Sequence, residues 1–157
     1  TVHAGEAVGS QSVRAAMLYL HPHRIGHGIR AIENSEVLQM LRGHNVALEV
    51  CPTSNLHTGA VCELAEHPLI DLFNLGVNVT LNTDDPSVSA TTLSEEYLVA
   101  VRRIGVALPR IYCMLRYAVE AAFISGEEKC DLRARIRRAL EAYPDAQEVF
   151  DSSAKPR

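Results

Sequence analysis

Several side chains near the ends of apolar runs have the types and spacing for metal-assisted chemistry. His3 and Glu6 stand in a His-x-x-Glu spacing within Thr1-Val2-His3-Ala4-Gly5-Glu6. His27 sits between two glycines in Arg24-Ile25-Gly26-His27-Gly28. Asp84 and Asp85 are adjacent in Asn82-Thr83-Asp84-Asp85-Pro86. A histidine at a strand end can present a ring nitrogen to a metal, and a nearby carboxylate can move protons. Glycines beside His27 let backbone and substrate approach closely. Adjacent aspartates on an extended segment point apart, so one can bind metal while its neighbour faces a ligand.

Singly, each cluster has a plainer reading: a His and a Glu on a solvated turn, and an Asp-Pro turn. Their conjunction carries the argument, because imidazoles and carboxylates at successive strand ends suit a metal-activated water. Nucleophilic alternatives fare worse. Ser54 lacks a nucleophile elbow, and Cys51 is followed by Pro52, unlike familiar cysteine protease sequences. His21 and His23 flank Pro22 and read as surface loop residues. His44, His57 and His67 read as equally bland, since no partner motif surrounds them.

The elements that must position these groups are short. Apolar runs at 1–3, 24–27, 46–51 and 77–82 read as buried parallel strands. Helical periodicity lies between them at 12–20, 35–41 and 68–75. Gly43 and Gly76 follow helical patterns, where a left-handed C-cap is wanted. Beyond the fourth strand the chain turns helical at 93–104 and 109–122. A capping box at Ser125-Gly126-Glu127-Glu128 starts a further helix to 140. Residues 141–157, with Pro144, Ser153 and Pro156, read as a loose tail after a single domain at 1–140.

Strand–helix alternation implies crossover connections and a parallel sheet. A full (β/α)₈ barrel uses about 250 residues, or about 31 per unit. Polar strand ends at 3, 27, 51 and 84 fall close to that step. The expected fold is therefore α/β, about four parallel strands of a barrel with crossover helices, followed by C-terminal helices. The competitor, a small doubly wound sheet, wants a Gly-rich phosphate loop that Gly5 and Gly9 do not make.

Composition narrows the class further. The 157 residues carry a net charge of -4, which disfavours a nucleic-acid partner or a polybasic membrane role. No apolar run approaches the roughly 20 residues of a membrane span. Cys51, Cys62, Cys113 and Cys130 form no Cys-x-x-Cys pair and read as free thiols of a reducing cytoplasm. Cys51 stands out because it sits at a strand end.

The ordered set Thr-Val-His-Ala-Gly-Glu, Arg-Ile-Gly-His-Gly, Glu-Val-Cys-Pro-Thr-Ser-Asn and Asn-Thr-Asp-Asp-Pro resembles the adenosine deaminase family. The stretch Ala-Phe-Ile-Ser-Gly-Glu-Glu-Lys from Ala122 resembles the C-terminal region of its bacterial-type members. The resemblance implies a TIM barrel with one zinc that hydrolytically deaminates adenosine or 2′-deoxyadenosine at C6, releasing ammonia. It implies His3 and Asp84 as zinc ligands and Glu6 as proton donor to purine N1. His27 would orient or deprotonate the attacking water, and Asp85 would hydrogen-bond purine N7. Ser54 and Asn55 would support the site.

The family's His-x-His pair on the first barrel strand, which supplies two more zinc ligands, is absent here; His21-Pro22-His23 is not that motif. The expectation is therefore the C-terminal half of a deaminase, needing an N-terminal half-barrel or self-association and inactive alone. An adenine deaminase-like relative and a non-catalytic remnant are the alternatives. The cytidine-type zinc deaminases are excluded, because their His-x-Glu and Pro-Cys-x-x-Cys signatures do not occur.

Overall fold

The computed structural model describes residues 1–152 of the chain. Four short parallel strands, β1 (Val2–Ala4), β2 (Arg24–His27), β3 (Ala47–Val50) and β4 (Asn78–Leu81), form one sheet in the order β1-β2-β3-β4. Sequential order without reversal is that of a barrel wall. A doubly wound sheet reverses at a switch point. The chain is thus an α/β fold built like part of a (β/α)₈ barrel.

The register gives the sheet two unlike faces. Val2, Ile25, Leu48 and Val79 are paired across the strands. Ile25, Leu48 and Val79 are fully buried in the main apolar cluster, with Val2 packed against it. One residue along, His3, Gly26, Glu49 and Thr80 form the opposite ladder. Side chains alternate along a strand, so an apolar ladder on one face leaves a polar ladder on the other. The strands are not buried evenly on both sides, as continuous apolar runs would have it.

The apolar face is covered by α1 (Ser10–Leu20), α2 (Ser35–Gly43) and α4 (Leu69–Asn74). These bury Val13, Leu38, Leu41, Leu69, Leu72 and Phe73. Asn34 caps α2 by accepting from the N–H groups of Glu36 and Val37. Gly76 ends the α4 segment with φ +89, as a left-handed C-cap should. Gly43 does not act this way. It lies inside α2, and the left-handed turn falls on Asn45 at φ 54. Asparagine tolerates that region better than most residues do.

A helix missing from the periodicity, α3 (Pro52–His57), starts directly after β3 with Pro52 in its first turn. After β4 come α5 (Pro86–Ser89) and α6 (Leu93–Val99), the latter opened by a Thr92–Glu95 capping box and continued by a π turn over Ala100–Ile104. Then follow α7 (Leu108–Ala121) and α8 (Gly126–Ala139), which begins at the Ser125–Glu128 capping box. No helix among the described residues is long and apolar enough to cross a membrane.

The loose tail expected from residue 141 is not what forms. Residues Pro144–Asp151 make α9, which packs on α7 and buries Ala146 and Phe150. Arg137 of α8 clamps Asp151 with paired hydrogen bonds. Pro144 starts this helix rather than loosening the chain, because proline fits a first helical turn. Ser153 and Pro156, read as part of the tail, lie outside the described residues.

Candidate metal centre and its surroundings

The polar face of the sheet ends in a cluster. His3, His27 and Asp84 each offer one ligand atom, and these atoms all lie within 4.8 Å of one another. They border an open cavity of about 520 Å³ that Glu49, Cys51, Tyr97 and Ile136 also line. Imidazole nitrogen and carboxylate oxygen are donors that zinc accepts, so the set fits such an ion as part of its shell.

Local backbone geometry aims each group. His3 lies in β1 opposite Gly26 of β2, and its ring covers that glycine. His27 closes β2 with φ 61, and Asp84 follows β4 with φ 59. Left-handed backbone costs a non-glycine residue on the order of 1–2 kcal/mol. Two such residues at one site mark it as a place where aim outweighs local comfort. Gly28, at φ 66, then turns the chain away, and a Cβ there would lie 2.5 Å from Leu48 Cδ2.

Glu6 joins the cluster from the β1–α1 turn. Its Oε2 lies 3.4 Å from His27 Nε2. Its Oε1 accepts from Asn55 Nδ2 at 3.2 Å and from the Thr58 hydroxyl at 2.9 Å. Asp84 Oδ2 accepts from the Ser54 hydroxyl at 2.7 Å and lies 4.0 Å from His27 Nε2. Ser54 and Asn55 come from the first turns of α3, so this short helix supports both carboxylates. Its own start is tied down by Glu96, fully buried on α6, which accepts from Thr53 N–H at 3.1 Å and from the Thr91 hydroxyl.

Asp85 stands apart from the three-residue cluster. Its Oδ1 accepts from Ser87 N–H and Val88 N–H, capping α5. Both of these bonds end on Oδ1. Cys51 is buried beside Asp84, and burial and the neighbouring carboxylate push its thiol up to about 12, so it stays protonated. No disulfide joins any of the four cysteines.

His67 is the residue whose surroundings the sequence does not announce. It is buried rather than on a surface loop, and desolvation lowers its imidazole to about 4. Its Nε2 lies 3.3 Å from Asn55 Oδ1. A lone histidine before a proline carries no motif, and only the fold brings it behind Asn55. Among the sequence-selected groups, the structure gathers His3, Glu6, His27 and Asp84 and leaves His21, His23, His44 and His57 elsewhere.

Known proteins match along nearly the whole chain. Residues 1–139 match the adenosine deaminase family. An adenine deaminase from Chelativorans sp. strain BNC1 is 40% identical over 142 residues, 90% of this chain. An adenosine deaminase from Serratia proteamaculans is 40% identical over 137 residues, 87% of this chain. The crystal structure of adenine deaminase from Arthrobacter aurescens superposes with a TM-score of 0.84 at 32% identity over 88% of this chain. The chain spans less than half of each relative, 44%, 41% and 42% of their respective lengths. The motif residues, the parallel sheet and these matches agree: the chain belongs to the adenosine deaminase family.

Proposed function

We propose that this chain forms the C-terminal half of a zinc-dependent purine deaminase, one that hydrolyses the C6 amino group of adenosine or 2′-deoxyadenosine and releases ammonia. The observation that carries this reading is the convergence of His3, His27, Asp84 and Glu6 at one end of the sheet's polar face. Zinc bound there would supply an acidified water as nucleophile near neutral pH. His3 and Asp84 would hold the metal, with the remaining ligands coming from a partner half-barrel. Glu6, held at Oε1 by Asn55 and Thr58, is the proton donor to purine N1 as charge develops there. His27 orients the attacking water, and Ser54 holds Asp84 in position. Asp85 would recognise purine N7 by donating a shared proton from the carboxyl oxygen not engaged in capping, since N7 only accepts.

Equal identity to an adenine deaminase supports a second reading, in which the free base is the substrate. One experiment tests both. The chain is co-expressed with the N-terminal half of the Serratia relative, loaded with zinc, and given adenosine and adenine in turn. Ammonia release from adenosine supports the first reading, and release from adenine alone supports the second. No release from a folded, zinc-loaded assembly rejects both.

A further inference from the structure

Two buried side chains behind the site, Asn55 and His67, form a hydrogen-bond chain whose polarity can be worked out from its ends. The N–H of Leu69 points at His67 Nδ1 at 3.1 Å. A backbone amide only donates, so His67 Nδ1 accepts. His67 is 4% exposed and burial keeps it neutral, so its single ring proton is on Nε2. That Nε2–H meets Asn55 Oδ1 at 3.3 Å. The carbonyl end of the Asn55 amide therefore faces His67, and its NH₂ faces the site.

The other end gives the same answer independently. The Asn55 amide nitrogen lies 3.2 Å from Glu6 Oε1, which also accepts from the Thr58 hydroxyl. Its second neighbour is His27 Nδ1 at 3.1 Å. The two amide hydrogens thus have two acceptors. A reversed amide would set NH₂ against His67 Nε2–H and oxygen against the Glu6 carboxylate. Asn55 is fully buried, so water could not relieve two mismatched polar contacts there. His27 Nδ1 is accordingly an acceptor. With Nδ1 taken up as an acceptor, the ring proton sits on Nε2, which faces Glu6 Oε2 and Asp84 Oδ2.

We infer that His67 and Asn55 act as a tautomer lock that holds His27 with its proton on Nε2, so that His27 serves the site as a hydrogen-bond donor and not as a metal ligand. A ligating imidazole needs a bare nitrogen towards the metal and an acceptor behind its N–H. Here the group behind Nδ1 is itself a donor. Of the three clustered residues, only His3 and Asp84 then remain to hold the ion. His67 is a positioning residue, acting through Asn55 on a ring it does not touch. The inference rests on the reading of His27 as the group that orients the attacking oxygen.

The test reads the rings directly and needs no turnover, so it stands apart from any failure of the deaminase reading. Protein labelled with nitrogen-15 histidine is kept metal-free near neutral pH. Long-range proton–nitrogen correlation then separates bare from protonated ring nitrogens, with His27 assigned through His27→Gln. The expected spectrum has Nε2–H on both His67 and His27. His67→Gln keeps a donor opposite Asn55 Oδ1 and preserves the His27 state. His67→Leu removes the donor, and His27 becomes a mixture of tautomers. Nδ1–H on His27 in the unsubstituted protein overturns the inference, as does an unchanged pure Nε2–H state in a folded His67→Leu protein. If His67→Leu does not fold, the unsubstituted spectrum and a cobalt titration decide. His3→Gln should weaken cobalt binding by about tenfold or more, and His27→Gln should leave it unchanged. Equal weakening in both variants would make His27 a ligand.

Discussion

A Cβ on Gly26 would lie 2.0 Å from Cδ2 of His3 and 2.7 Å from its Nε2. The glycine between Ile25 and His27 is therefore a seat for the neighbouring strand's imidazole. Gly26 is part of β2, so the requirement is for absent volume rather than for an unusual backbone. Gly26→Ala should keep the sheet but push the His3 ring off its position. Cobalt or zinc affinity is expected to fall by about tenfold or more while the far-ultraviolet circular dichroism stays unchanged. Retained affinity would mean that His3 is not a ligand in this rotamer.

Glu6→Gln keeps the hydrogen bonds from Asn55 and Thr58 through its amide oxygen but cannot deliver an acid proton. In a barrel completed by an N-terminal half, kcat should drop by about 10²–10⁴-fold with metal content intact. Metal analysis and steady-state rates on one preparation check this, and a near-normal kcat would remove Glu6 as proton donor.

Asp85 can reach a ligand with only one oxygen, since the other caps α5. 7-Deazaadenosine lacks the N7 acceptor and should be a much poorer substrate of the same assembly, by kcat/KM. Similar values for adenosine and its 7-deaza analogue would leave Asp85 as a helix cap and nothing more.

Acid should destabilise the fold through His67. Its imidazole is lowered to about 4 in the folded protein, against an ordinary 6.5. Below pH about 6.5 the unfolded chain takes up a proton that the folded one refuses until pH about 4, so stability is lost as pH falls through this window. Urea unfolding near pH 7 and near pH 4.5 should show the unsubstituted protein losing about 2 kcal/mol more than His67→Gln. Equal losses would place the acid-sensitive group elsewhere.

Phe150 ties α9 to the rest of the molecule and is 1% exposed. Phe150→Ala should cost about 3–5 kcal/mol, as for other buried aromatic truncations. Thermal unfolding measures it. A change well under 1 kcal/mol would return the segment after residue 141 to a loose tail.

Local chemistry made much of this protein legible in its sequence. The strand ends carrying His3, His27 and Asp84, the capping box at Ser125 and the alternation of strand and helix all depend on residues close in the chain. The same holds for the four motifs, whose order alone points to the family. What the sequence left open depends on contacts between distant residues. Periodicity could not reveal α3, because six residues are too few for a helical repeat, and Glu96 from 43 positions away anchors its first turn. It misread residues 144–151 because proline and polar residues look like a tail until α7 offers Phe150 a place to be buried. Nor could it separate His67 from the other lone histidines. Only the tertiary structure brings that ring behind Asn55, where burial keeps it neutral and the Leu69 amide decides which nitrogen bears its proton.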